Sequence, residues 1–275
     1  MNKKFKIIFK LIVTVIIVGL LIKDLDFFKV LKVLENLKLS SIIIPVFISL
    51  SFPLVMAKRW EIINNYFGSK INFEKSLNII IIGQTGSSII GLSIINEIIK
   101  FFKLDKRIQI LDKFKIIILD KVYSIFFKLL LLIIIAPFFF EFKYYFITII
   151  SFILLFILII FLSIANIGNS TVVIKTLVLS LIQNLLIIFA YLFICKSLNL
   201  NIDFLKSILF LSIELITQIF SFWGVRELSA TYIANLVYLN KETGLTIGLL
   251  FTIINLISLI FYILIFRINL VSKFK

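Results

Sequence analysis

Two adjacent pairs of charged residues stand inside long apolar stretches of the sequence, and they are the first candidates for chemistry. One pair, Arg226-Glu227, follows Gly224 in the stretch SFWGVRELSATY. The glycine permits a sharp turn, and the planar guanidinium of arginine suits a bidentate contact with phosphate. We therefore interpret Arg226 as a phosphate-binding group facing a cavity, with Glu227 orienting or neutralising it while the site is empty. In the alternative, structural interpretation, Glu227 is an anion favoured in the first turn of a helix, and Arg226 is its neighbour at the membrane interface.

The other pair is Asp120-Lys121, near the start of the apolar segment KIIILDKVYSIFFK. An aspartate or lysine at the centre of a membrane helix costs roughly 2.5–3.5 kcal/mol on insertion scales. The pair is therefore expected to line a polar interior, to pair with other charged groups, or to extend toward the cytoplasmic surface. Lys128 is expected to line the interior or reach an anionic partner, and we do not include it among the candidate binding residues. Glu214 is an isolated charge in another apolar stretch and is a candidate.

The composition indicates the environment in which these charges lie. The chain has 275 residues, of which 61% are hydrophobic, and its mean hydropathy is +1.18. Ordinary soluble domains are about 45–50% apolar, and apolar runs of about 20 residues, each long enough to span a bilayer as a helix, recur along this chain. We therefore predict an all-α, polytopic integral membrane protein. The net charge of +15 is assigned to membrane topology and anionic headgroups, with no nucleic-acid partner.

Several kinds of chemistry are excluded by residue type. The chain contains no histidine, which removes histidine-based triads, histidine metal ligands and histidine proton relays. Its single cysteine, Cys195, allows neither an internal disulfide nor a thiolate cluster. No G-x-x-x-x-G-K-[ST] loop for ATP is present. We expect no metal, no cofactor and no catalytic residue, and a transport role more than an enzymatic one.

The distribution of basic residues predicts the topology. Full spans are expected near residues 5–22, 40–57, 116–136, 144–165, 172–194 and 245–266. Two less regular stretches, 76–102 and 207–239, lie between them. Lys75 precedes the first of these and Lys103 follows it, so a single crossing would violate the positive-inside rule, whereas a re-entrant hairpin satisfies it. With two re-entrant hairpins, both termini are cytoplasmic, in the inner membrane of the cell.

An internal repeat accompanies this topology. FEKSL at 73–77 and FLKSI at 204–208 are 131 residues apart, and the neighbouring predicted spans recur at nearly the same distance. Three crossings per half invert the second copy, as in many transporters. We therefore expect one transmembrane domain, residues 1–275, built of inverted halves at about 1–139 and 140–275. In the alternative interpretation, the short match arises by chance in a chain rich in lysine and phenylalanine.

The same motifs resemble the transmembrane, flippase-like region of the lysylphosphatidylglycerol synthase family, over roughly residues 40–266. The matching features are Arg59-Trp60 after the second span, Gly91 to Glu97 with Lys100 as its "P…GE…R" segment, Asp120-Lys121 as its acidic–arginine pair, and Gly224 to Glu227 as its "G-x-R-E". The chain departs from the pattern at Asn96, where glycine is usual, at Lys121, where arginine is usual, and in lacking prolines in both glycine-containing segments. It is similar to a stand-alone member without the soluble aminoacyl-transferring domain.

The resemblance implies a protein that moves or binds a lipid or lipid-linked substrate. We expect a translocase that binds an anionic headgroup, from a phospholipid or a polyprenyl phosphate, in a polar cavity between the two halves. The expected substrate-binding residues are Arg59, Glu97, Asp120, Lys121, Glu214, Arg226 and Glu227. One alternative is a membrane glycosyltransferase that uses a polyprenyl-linked sugar, with Asp24 and Asp26 as an acidic pair in the first outer loop. Another is a non-catalytic partner in envelope lipid or polysaccharide synthesis.

Overall fold

The computed structural model describes residues 27–90, 93–105, 107–135, 169–219 and 224–266, and all the regular elements in these ranges are helices. In chain order they are α1 (Phe27–Glu35), α2 (Leu39–Tyr66), α3 (Phe73–Ile90), α4 (Ile94–Lys103), α5 (Ile110–Ile135), α6 (Ser170–Ser197), α7 (Phe204–Leu209), α8 (Leu211–Ile219), α9 (Val225–Leu236) and α10 (Lys241–Ile265). The predicted spans at 5–22 and 144–165, and the acidic pair Asp24 and Asp26, lie outside the described residues.

Helices α2, α6 and α10 are long and apolar enough to cross a membrane, with mean hydropathy between 2.0 and 2.5. Helix α5 has 26 residues, a comparable length, but it carries Asp120, Lys121 and Lys128 in its apolar part. Because of these charges, α5 is less uniformly apolar than α2, α6 and α10. Its length of about 39 Å nevertheless exceeds the thickness of the bilayer core. The chain is therefore an α-helical membrane protein, as its composition predicts.

The long helices pack through two buried clusters. Helices α2 and α6 form the most extensive helix–helix contact, and α10 packs against α2 and α9. One cluster contains a stack in which the ring of Tyr191 lies 4.2 Å from that of Phe251 and 5.2 Å from that of Phe210. The other contains Trp60 and Tyr123, both fully buried. Buried aromatic side chains on α2, α5, α6 and α10 therefore take part in the packing of the long helices.

Two pairs of helices have a short second member. Helix α4 has 10 residues and follows α3, and α9 has 12 residues and follows α8. At 1.5 Å per residue they are about 15 and 18 Å long, well below the roughly 30 Å of a bilayer core. Helices α3 and α4 touch at Gly83, where an added Cβ would lie 2.1 Å from the side chain of Asn96. Gly224, with φ of 84°, precedes α9 in a left-handed conformation that glycine adopts without strain.

The helix boundaries recur along the chain. The starting residues Leu39 and Ser170, Phe73 and Phe204, Ile94 and Val225, and Ile110 and Lys241 are each 131 residues apart. The spacing first seen between FEKSL and FLKSI therefore applies to four helices in each half. In this register Glu227 corresponds to Asn96.

Candidate functional site

A polar cavity of about 250 Å³ lies between helices α2, α3, α4, α5, α6, α8, α9 and α10. Its charged lining residues are Arg59, Glu97, Lys100, Asp120, Lys121, Lys128, Glu214 and Arg226. They come from α2, α4, α5, α8 and α9, so the two short second helices and the charged helix α5 all contribute. Mostly apolar helices can carry these charges on the face that lines the cavity, because the cavity is a more polar environment than the lipid.

Asp120 is the centre of a buried ion cluster. Its Oδ1 accepts a hydrogen bond of 2.7 Å from Arg59 Nε, and its Oδ2 accepts one of 2.8 Å from Lys100 Nζ. All three side chains are at least 95% buried. Arg59 also donates through Nη1 to Gln183 Oε1 at 2.7 Å and to Ser180 Oγ at 3.1 Å. A carboxylate with two cations and a guanidinium with polar partners on α6 form a satisfied network that joins α2, α4, α5 and α6.

Glu97 extends this cluster toward the cavity. Its carboxylate lies 3.5 Å from Lys100 Nζ and 3.9 Å from Lys121 Nζ. Lys100 Nζ also lies 5.1 Å from the centre of the Trp60 ring, a distance at which a cation and an aromatic face attract each other. Lys100 is therefore held by two carboxylates and an aromatic ring, whereas Lys121 has one longer contact and is about one-third exposed.

Arg226 and Glu214 form the second cluster. Arg226 Nε donates to Glu214 Oε1 at 3.1 Å and Nη2 donates to Oε2 at 3.2 Å, a bidentate pair between α9 and α8. Tyr191 donates its hydroxyl proton to Glu214 Oε1 at 2.8 Å. The guanidinium lies 5.2 Å from the centre of the Phe251 ring. Arg226 thus points into the cavity, as its sequence context predicts, but its fork is already occupied by a carboxylate.

Glu227 lies outside the residues that line the cavity, in the first turn of α9. Its Oε1 accepts a hydrogen bond of 2.8 Å from Thr252 Oγ1, which in turn accepts one of 3.3 Å from Arg226 Nη1. The sequence interpretation made Glu227 the group that neutralises Arg226. In the structure the direct partner is Glu214, because consecutive residues on a helix point about 100° apart and the pair at 226 and 227 cannot face each other.

Lys128 has a different environment from the other cations of the cavity. Its side chain is 1% exposed, and its Nζ has no hydrogen-bond partner among the residues that the structure describes. Gln218 Oε1 and Ser258 Oγ, which also belong to lining residues, likewise lack partners within those ranges. An unpartnered buried ammonium is costly, so its presence beside a cavity requires a physical reason.

The formal charges of the cavity do not balance. Five basic and three acidic side chains line it, and Glu227 behind Thr252 adds a fourth acid. One positive charge therefore remains when every acid has been counted. An excess of buried positive charge with a polar opening favours a negatively charged ligand.

The structure brings six of the seven predicted binding residues to one cavity and leaves Glu227 one residue behind it. The predicted binding set did not include Lys100, Lys128 or Gln183, although the sequence placed Lys100 in the family-like segment and Lys128 in the interior or near an anionic partner. Lys100 had a detectable signal, because it lies one helical turn after Glu97 in the same short segment. Lys128 had one as well, because a lysine in the run FFKLLLLIII carries the same insertion cost as Asp120. Gln183 had no signal that distinguishes it from other polar residues of α6.

Comparison with known protein families identifies a match for this chain. The family model of the lysylphosphatidylglycerol synthase TM region matches residues 7–167, more than half of the chain. This range contains Arg59, Glu97 and Asp120-Lys121, whereas the segment from Gly224 to Glu227 lies beyond it. No curated protein and no solved structure matches the chain.

Proposed function

The chain belongs to the family of lysylphosphatidylglycerol synthase TM regions, and from this membership we propose that it is a lipid translocase. Its cavity takes the anionic headgroup of a lipid, while the acyl or prenyl chains stay in the bilayer. The observation that carries the proposal is the cavity of about 250 Å³ with an excess of positive charge, enclosed by long apolar helices. An excess of buried basic groups attracts anions, and only a membrane-soluble molecule has the rest of its body in the surrounding lipid.

The proposed transport path uses the repeat. We propose that α3–α4 and α7–α9 are re-entrant hairpins of two halves with opposite orientation in the inner membrane, and that both termini are cytoplasmic. The short lengths of α4 and α9 support this arrangement, since neither can cross a bilayer core. The recurrence of four helix starts at 131 residues supports the two halves. Alternating access then consists of rocking one half against the other around the cavity.

The function is tested by reconstituting the purified chain into phosphatidylcholine vesicles that contain fluorescent phosphatidylglycerol. A membrane-impermeant quencher added outside measures how much of the labelled lipid reaches the outer leaflet. The wild-type chain should expose nearly all of the label, whereas protein-free vesicles should expose only the half that starts outside. Equal quenching with and without protein would remove the translocase proposal.

Variants at Arg226 connect the activity with the cavity. Arg226→Ala should lose most of the transport rate, because it leaves the carboxylate of Glu214 with the Tyr191 hydroxyl but without its cation, and so places an uncompensated negative charge at an anion site. Arg226→Lys keeps the charge but loses the bidentate geometry, so it should retain part of the rate. Arg107→Ala is the matched control, since Arg107 is exposed and pairs with Asp105 between α4 and α5. Wild-type rates for Arg226→Ala would separate this residue from transport.

A further inference from the structure

We propose that Lys128 is the primary anion-binding residue of the cavity, and that its ligand is the phosphodiester of a headgroup with a single negative charge and no amine. This inference rests on the proposed function and narrows the ligand of that same site. It also transfers the phosphate-binding role from Arg226, where the sequence placed it, to a lysine on another helix.

Both arginines of the cavity are already occupied by other side chains. The guanidinium of Arg226 makes two bonds to Glu214 and one to Thr252. That of Arg59 is bonded to Asp120, Ser180 and Gln183. A ligand phosphate would have to displace a carboxylate from either one, and the released carboxylate would then repel it. Neither arginine therefore offers a ready anion site.

The three lysines of the cavity differ in their hydrogen-bond and ion-pair partners. Lys100 is bonded to Asp120 and lies within reach of Glu97, and Lys121 lies 3.9 Å from Glu97. Lys128 is 99% buried, and in the described part of the chain its ammonium has no partner. Among the charged groups of the cavity, Glu214 stabilises the positive charge of Lys128. Three cations, Lys121, Arg59 and Arg226, destabilise that charge. The electrostatic potential around it is therefore positive and is relieved by an anion.

The balance of basic and acidic side chains determines which ligand charge the cavity can neutralise. When Glu227 is included, the cavity has five basic and four acidic side chains, and so one positive charge remains. A phosphodiester carries one negative charge and neutralises it. A zwitterionic headgroup such as phosphoethanolamine leaves the excess in place, and a phosphomonoester such as a polyprenyl phosphate reverses it. Gln218 Oε1 accepts a hydrogen bond and Ser258 Oγ can accept or donate one, so both unpartnered atoms can bond a headgroup hydroxyl, and the selection against an amine comes from the charge balance alone.

The experiment measures binding by calorimetry to the full chain in phosphatidylcholine nanodiscs. The probes are dihexanoyl-phosphatidylglycerol, its deacylated counterpart glycerophosphoglycerol, glycerophosphoethanolamine and inorganic phosphate. Wild-type protein should bind both glycerol phosphodiesters, the acylated one more tightly, and should bind the other two at least about tenfold more weakly. If the acylated and the deacylated glycerol phosphodiester bind with equal affinity, the ligand is a free phosphodiester. That result would overturn the lipid assignment.

The decisive variant is Lys128→Met, which keeps the side-chain length and removes the charge. It should weaken binding of dihexanoyl-phosphatidylglycerol by about 10- to 100-fold, the range expected for one charge-assisted hydrogen bond. Lys128→Arg should remain within a few-fold of wild type. Lys115→Met, on the exposed side of the same helix, is the control and should bind as the wild type does. Wild-type affinity in Lys128→Met would overturn the inference.

A stability measurement separates ligand binding from a structural role. If Lys128 is an unpaired charge in the empty cavity, methionine at this position relieves its desolvation, and the thermal midpoint of the empty protein should rise. Dihexanoyl-phosphatidylglycerol should then raise the midpoint of the wild type and not that of Lys128→Met. A lower midpoint for the empty variant would assign Lys128 a structural partner and refute the inference. The translocase proposal can fail separately from this inference. A wild type that binds the lipid but does not move it in the vesicle assay would refute the translocase proposal and leave the binding role of Lys128 intact.

Discussion

The contact between α9 and α10 gives a prediction whose size follows from the structure. A Cβ added at Gly244 would lie 2.4 Å from the backbone oxygen of Ala230 and 2.6 Å from the Cβ of Ala234, whereas ordinary contact begins at 3.4 Å. In Gly244→Ala, α9 must therefore move away from α10 by about 1 Å, and overpacking of this kind costs about 1–3 kcal/mol. At Gly83 the added atom would clash with the side chain of Asn96, which can rotate away, and would lie at an ordinary contact distance of 3.4 Å from the backbone oxygen of Asn96.

The two glycines form a matched pair, since both lie inside helices where alanine is intrinsically favoured by about 1 kcal/mol. Gly83→Ala should therefore leave stability nearly unchanged, and Gly244→Ala should lower it. Cys195 is fully buried and is the only cysteine in the chain, so its reaction with a fluorogenic thiol reagent during heating reports unfolding directly.

The same displacement should also affect transport. The hydrogen bonds of Arg226 to Glu214 and Thr252 measure 3.1–3.3 Å, and a shift of about 1 Å in α9 would extend them beyond hydrogen-bond range. We expect Gly244→Ala to lose most of its vesicle transport and Gly83→Ala to keep it. Equal thermal midpoints together with equal transport rates for the two variants would refute the packing argument.

The remaining predictions concern the buried cluster and the topology. Asp120→Asn should lower the free energy of unfolding by about 3–5 kcal/mol, because it leaves Arg59 and Lys100 buried without their shared carboxylate, and thermal unfolding measures the loss. Glu61→Gln, which removes the exposed pair with Lys58, should cost less than about 1 kcal/mol, and a similar loss in both would contradict the structure. In a Cys195→Ser background, exposed single cysteines should be shielded from an impermeant reagent outside intact cells at Lys75 and Arg107, and labelled at Asn201 and Lys241. Opposite labelling at the first two positions would show that α3–α4 crosses the membrane.

The membrane class and most helices could be predicted from the sequence because they depend on composition and on segment length. The span expected at 116–136 begins six residues earlier, at Ile110, since the helix continues through the polar residues that precede the membrane. The stretch 207–239, which the sequence predicts only as a less regular, re-entrant hairpin, contains the end of α7 and all of α8 and α9. A break at Phe210 and the turn at Gly224 depend on local backbone geometry that hydropathy does not register.

The site could be predicted as a set of residues but not as a network. Isolated charges in apolar segments are expensive, so the sequence alone identifies Asp120, Glu214 and Arg226 as interior groups. Which charge pairs with which is decided by packing between distant segments. The sequence suggested Glu227 as the partner of Arg226 because the two are neighbours, whereas the structure uses Glu214, twelve positions away on another helix. The unpartnered state of Lys128 could not be predicted for the same reason.

The unequal charges of the cavity have an electrical consequence. In the proposed transport cycle, a cavity with one excess positive charge is neutral while it holds a singly negative headgroup, so the loaded site would change its access from one leaflet to the other without moving net charge across the membrane. The empty cavity keeps its positive charge, and its return is the step that depends on the membrane potential, by at most about 2.3 kcal/mol per 100 mV. An interior that is negative draws the empty site toward the cytoplasmic side. The same five basic and four acidic side chains that select the ligand would thus bias the resting protein toward picking it up from the inner leaflet.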